Sequence, residues 1–81
     1  MASNEKKISV RDTERIFNGN KGDRVILLPT NSDIRISEVR SDAKNGSLIE
    51  DQDRAVYEME SDGNLYAYND GSSEATVEVT K

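Results

Sequence analysis

Turn chemistry interrupts this chain at intervals of roughly ten residues, the rhythm of an antiparallel sandwich or barrel, and leaves room between interruptions only for short elements. The interruptions are Asn18-Gly19-Asn20-Lys21-Gly22-Asp23, Pro29-Thr30-Asn31-Ser32-Asp33, Ser41-Asp42-Ala43-Lys44-Asn45-Gly46, Ser61-Asp62-Gly63-Asn64 and Asn69-Asp70-Gly71-Ser72-Ser73. Four of the five glycines (Gly19, Gly46, Gly63, Gly71) directly follow Asn or Asp, a pairing that favours tight turns because both residue types tolerate positive φ.

Between the turns lie strand-like runs. Lys7-Ile8-Ser9-Val10 alternates, and Thr13 to Phe17 is a weaker run. Arg24 to Leu28 is continuously apolar after its first residue, which predicts a strand covered on both faces. Asp33 to Val39 alternates and then slips by one at Val39, the mark of a bulge or a strand end, and Leu48-Ile49 is a short run. Three alternating runs follow, Arg54 to Met59, Asn64 to Asn69 and Glu74 to Thr80, the last with Ala75, Val77 and Val79 on one face. The only candidate helix is Arg11 to Phe17, with Asp12 as its cap. The turns at 62–63 and 69–73 read as hairpins, so the last three runs are expected to form a three-stranded antiparallel meander. The fold class is therefore all-β, a small antiparallel sandwich or barrel of six to eight short strands. Residues 1–6 are polar and read as a flexible N-terminal arm, and residues 7–81 as a single domain.

At 81 residues, with 33% hydrophobic and 33% charged residues, such a domain builds only a modest core. It has no cysteine for disulfide staples, so extra buried area is expected from self-association or from a partner. The net charge of −5 argues against nucleic acid, whose phosphates select basic faces. Val25-Ile26-Leu27-Leu28 is the longest apolar run, far short of a membrane span, and no signal peptide is visible, which points to assembly in the cytoplasm.

No motif specifies a reaction. There is no histidine, no Gly-x-Ser-x-Gly and no phosphate-cradling loop ahead of a helix. Glu58 and Glu60 share a strand face, but so few large apolar residues leave little material for a dry pocket that would shift a carboxylate's pKa. Glu50, Asp51 and Asp53, with Asp42 and Asp62, lack the spacing of a calcium loop and read as solvated acids. The chain is expected to be no enzyme and to need no cofactor.

Tyrosines offer the best contact residues. Tyr66 and Tyr68 share one strand face, with Tyr57 on the strand expected beside it. Tyrosine joins a large apolar body to a polar tip, which suits a partner contact or sugar stacking, while a cross-strand aromatic pair covering its own sheet is the structural alternative. If Leu65 and Ala67 face the core, something else covers Tyr66 and Tyr68, or they stand exposed.

Three segments, residues 21–29 (Lys-Gly-Asp-Arg-Val-Ile-Leu-Leu-Pro), 32–37 (Ser-Asp-Ile-Arg-Ile-Ser) and 63–79, where Leu65-Tyr66-Ala67-Tyr68-Asn69-Asp70-Gly71-Ser72 leads into a Val-rich strand, resemble the small β-domains of tailed-virus virion accessory proteins of the capsid decoration type. The resemblance covers about residues 21–80, and residues 41–53 fall outside its pattern as an insertion or contact loop. It implies a non-enzymatic structural protein of a bacteriophage particle, located in the virion. Such a protein would be self-associated, with a trimer favoured, and docked on the major capsid protein or another virion protein. Contacts are then expected from the N-terminal arm around Ile8 and Val10 and from the tyrosine face of Tyr57, Tyr66 and Tyr68. Two alternatives are a carbohydrate- or receptor-binding module that uses the tyrosines, and a small acidic regulator or inhibitor, which would need its acids aligned on one face.

Overall fold

The computed structural model describes residues 3–81. Eight strands follow in chain order: β1 Ser3–Ile8, β2 Thr13–Gly19, β3 Arg24–Thr30, β4 Ile34–Ser37, β5 Ser47–Ile49, β6 Ala55–Glu58, β7 Gly63–Asn69 and β8 Ala75–Thr80, with a short 3-10 helix, Arg40–Asn45, between β4 and β5. They form two antiparallel four-stranded sheets, ordered β1-β8-β3-β6 and β2-β7-β4-β5. This is a sandwich, and its strand order is that of a jelly roll, two interleaved Greek keys.

Alternation builds the core. The first sheet turns Val25 and Leu27 of β3 and Ala75, Val77 and Val79 of β8 inward, and the second sheet answers with Ile34 and Ile36 of β4 and Leu65 and Ala67 of β7. Ile8, Ile16, Ile49 and Met59 complete the buried cluster, with Phe17, Ala55 and Tyr57 packed against its margin.

The C-terminal meander does not form. β6 and β8 lie in one sheet and β7 in the other, so the turns at 62–63 and 69–73 are arches that carry the chain between sheets. The reason is burial: side by side, β7 and β8 would present Leu65, Ala67, Ala75, Val77 and Val79 on one face with nothing to cover it, whereas placed in opposite sheets they cover one another. The candidate helix over 11–17 is a turn followed by β2 instead, with Thr13 in register with Tyr68 and a bulge between Arg15 and Phe17 that keeps both Ile16 and Phe17 at the core.

The flexible arm is also corrected. From Ser3 onward residues 1–6 belong to β1, paired in unbroken register with β8 from Ser3↔Thr80 to Ile8↔Ala75, while Met1 and Ala2 lie outside the described residues. Before Ile8 this strand offers little apolar surface, and it is held through the backbone because β8 would otherwise have a bare edge. Pro29 is tolerated inside β3 because its backbone faces away from β8: its carbonyl accepts from the Gln52 N–H at 2.7 Å, so the missing N–H costs no ladder bond.

Asn69, wholly buried at the end of β7, joins the two sheets. Its Nδ2 donates to the carbonyls of Ile8 (2.9 Å) and Ser73 (2.8 Å), and its Oδ1 accepts from Ser32 Oγ (2.7 Å) and the Gly71 N–H (3.0 Å). Gly71 is required for close approach, since a Cβ there would stand 1.7 Å from Ser32 Oγ. Asn69→Asp keeps the shape but replaces the donating NH2 with an acceptor facing two carbonyls. It is expected to cost about 2–4 kcal/mol of unfolding free energy, more than Ser32→Ala, with urea denaturation as the measurement.

Candidate functional site

The outer face of the β2-β7-β4-β5 sheet gathers aromatic and cationic groups. Tyr66 and Tyr68 of β7 point outward because Leu65 and Ala67 point in. Across the ladders, Arg15 stands in register with Tyr66, and Thr13 and Arg35 stand on either side of Tyr68. The 3-10 helix lies over this face, with Ala43 buried beneath it and the Arg40 guanidinium 5.5 Å above the Tyr66 ring centre, within cation–π range. Arg40 also donates to the Thr13 carbonyl at 3.2 Å, and Asn64 Nδ2 donates to the Tyr66 hydroxyl at 3.2 Å.

Both tyrosines are thus half-buried, covered in part by the chain itself. The stretch 41–53 supplies that cover and then β5, which pairs with β4 from Ile34↔Ile49 to Ile36↔Ser47. Gly46 makes the crossing possible, because a Cβ there would lie 2.0 Å from the Ile36 carbonyl oxygen.

Beside the helix is a shallow depression lined by Arg11, Thr13, Val39, Arg40, Ser41, Lys44 and Tyr68. Arg35 is paired with Asp70 at 3.1 Å, but among the described residues Arg11, Arg15, Arg40 and Lys44 have no carboxylate within ion-pair distance. Asp42, on the same helix, stands two residues from both Arg40 and Lys44, and Glu38 stands two residues before Arg40. Arg11 holds a left-handed backbone (φ 61) in the turn where the Asp12 N–H bonds the Ser9 carbonyl, a conformation that favours glycine. A cation therefore occupies the rim of this depression at a backbone cost.

The other expected contact residues separate. Ile8 is 0% exposed and belongs to the core, so it meets no partner; Val10 is 41% exposed in the β1–β2 turn, next to Arg11. Tyr57 leaves the tyrosine face altogether. It lies on β6, in the opposite sheet, turned inward against the core, and its hydroxyl donates to Glu38 Oε2 at 2.5 Å.

Glu38 also accepts from the N–H groups of Glu60 (2.8 Å) and Ser61 (3.1 Å) and from Ser61 Oγ (3.0 Å), which ties the end of β4 to the β6–β7 arch. Burial pushes the Glu38 carboxyl up, but these hydrogen bonds outweigh it and hold the group below its ordinary value. Burial first, then the hydrogen bond to the Glu38 carboxylate, push the Tyr57 phenol well above its ordinary value. Both shifts follow from the tie between the end of β4 and the β6–β7 arch.

Several of the acids gather at one end of the molecule. The β1–β2, β3–β4, β5–β6 and β7–β8 connections meet at one end of the sandwich, which brings Asp12, Asp33, Glu50, Asp51, Asp53, Asp70 and Glu74 to that end. Several are engaged there: Asp33 Oδ1 accepts from the Asp51 N–H (2.8 Å) and Asp51 Oδ1 from the Asn31 N–H (3.0 Å). Among the described residues no three acids converge as metal ligands would.

No protein-family model, curated protein or solved structure matches the chain.

The Glu38 tie sets a pH response. A depressed carboxyl contributes stability that is present above its ordinary value of 4.5 and lost as pH falls through its folded-state value. Thermal melts from pH 7 to pH 3 should therefore show a smaller loss of Tm for Glu38→Gln than for the unaltered chain, and parallel losses would exclude Glu38 as a contributor. Arg11→Gly relieves the left-handed turn and is expected to raise unfolding stability by up to about 1 kcal/mol, while removing a cation from the depression.

Proposed function

We propose that this chain is a non-enzymatic docking protein of a tailed virus particle, a capsid decoration protein that presents the outer face of the β2-β7-β4-β5 sheet to an acidic surface of the shell. One observation carries the reading. A chain of net charge −5 places Arg11, Arg15, Arg40 and Lys44, none ion-paired among the described residues, around Tyr66 and Tyr68 on one face. Arginine and tyrosine are the residue types that anchor protein interfaces, and a cationic patch on an acidic molecule orients its approach to a negative partner. The jelly-roll order is used by viral capsid domains and also by lectins, so the fold supports the reading without deciding it. Many copies, each adding modest contacts across neighbouring shell subunits, would together oppose the outward pressure of packed DNA.

A carbohydrate-binding module is the second reading, favoured by the depression beside Tyr68. Loss of Tyr57 from the tyrosine face leaves it a smaller stacking platform than three tyrosines would give.

The test is re-decoration. Tailed particles assembled without this chain are incubated with the purified protein and sedimented. Saturable binding is expected, weakened roughly tenfold or more by Arg40→Glu with Lys44→Glu and reduced as salt rises. No binding to particles, together with glycan affinity lost on Tyr68→Ala, would replace this reading with the second.

A further inference from the structure

The geometry points to a second docking surface: β6 is a dimerisation edge, at which two copies of this chain pair β6 to β6 across a two-fold axis through Val56, joining their four-stranded sheets into one of eight. The inference rests on β6 and its neighbours alone and does not depend on the decoration reading.

Edge strands expose unpaired backbone groups, and proteins normally blunt them. Three of the four edges here are blunted. β1 carries Glu5, Lys6 and Lys7, β2 is bulged between Arg15 and Phe17, and β5 is three residues long. β6 instead presents Val56, 64% exposed, directly opposite Ile26 of β3, itself 37% exposed, with half-buried Leu28 next on the same face. The continuous apolar run of β3 predicts cover on both faces, yet within one copy only Val25 and Leu27 are covered completely. Ile26, Leu28 and Val56 form the uncovered remainder.

The backbone of β6 is set for pairing. The Met59 N–H bonds the Asp23 carbonyl of the neighbouring chain segment, so Met59, Tyr57 and Ala55 direct their backbone groups toward β3. Val56 and Glu58 alternate with them and direct theirs to the open side.

Side-chain charge selects both the occupant and the register. An antiparallel two-fold pairing centred on Val56 sets Val56 against the second copy's Val56, each extending the apolar strip of Ile26 and Leu28. The same register sets Arg54 of each copy against Glu58 of the other, an opposite-charge cross-strand pair formed twice. Shifting the register by two residues sets Val56 against Arg54 or Glu58 and forfeits these pairs. Among the described residues Glu58 is held within its own chain only by Arg24, at 3.2 Å with both side chains more than half exposed, which leaves it room for a second cation. A four-residue edge makes a small interface, so the dimer is weak and concentration-dependent.

Sedimentation equilibrium of the full chain over a concentration series, at low salt, tests this directly. A monomer–dimer equilibrium is expected, with Val56→Lys monomeric because two ammonium groups meet on the axis. Arg54→Glu and Glu58→Arg should each weaken association roughly tenfold or more, since each homodimer then opposes like charges twice. An equal mixture of the two variants should regain it, because the heterodimer restores both pairs. All three positions are exposed, so far-UV circular dichroism should be unchanged. Concentration-dependent protection of the Val56 and Glu58 amides in hydrogen exchange tests the same edge without any substitution. A chain monomeric to about 1 mM, a Val56→Lys variant that still dimerises, a mixture no better than its components, or a dimer without protection of those amides would each overturn the proposal.

Discussion

The carboxamide of Asn69 is the constraint on which the sandwich turns. An amide side chain has two donors and an acceptor with two lone pairs, and here all four places are taken within the protein. Its partners lie at the end of β1, in the β3–β4 turn and in the β7–β8 arch, so one buried side chain fixes where three separate pieces of chain must meet. A small core of Val, Ile, Leu, Ala and one Met gives cohesion without much direction. The amide supplies direction, because a neighbour that shifts leaves a donor or acceptor unmet in a place water cannot reach. Glu38 does similar work at the opposite end of the molecule, in a wetter setting where its hydrogen bonds rather than its enclosure dominate.

The two sheets present different outer surfaces. One carries the tyrosines, the cations and the 3-10 helix that partly roofs them. The other carries the bare strip of Ile26, Leu28 and Val56 along its β6 side. The proposed docking face and the proposed β6 edge can then be occupied together, since each belongs to a different layer of the sandwich.

Alternation and turn chemistry made the strands legible. The eight runs read from the residues correspond to the eight strands, and Leu65, Ala67, Ala75, Val77 and Val79 face inward as their spacing requires. Pairing was not legible, because Asp62-Gly63 and Asp70-Gly71 serve an arch between sheets as readily as a hairpin within one. Only the need to cover two apolar faces decides between them, and that is a property of the whole chain. β1 was missed from Ser3 to Lys6 because a backbone-held edge leaves little hydrophobic signal. Of the site, Tyr66 and Tyr68 were legible from alternation, whereas Tyr57 changed sheets along with β6. The cations were missed because Arg11, Arg40 and Lys44 come together only through a turn and a crossing helix. The left-handed Arg11 leaves no mark in composition.

Only β4 and β5 are neighbours both in the chain and in a sheet; every other strand finds its ladder partners across intervening segments. β8, the last strand, sits between β1, the first, and β3. The first sheet therefore has a gap in its middle until β8 has been synthesised, and β1 has no ladder partner until then. Before β8 emerges, only the β3–β6 pair of the first sheet and the strands of the second can meet. Completion must wait for β8, with loop closures that span nearly the whole domain, and this places the protein among the slow, high-contact-order folders of its size.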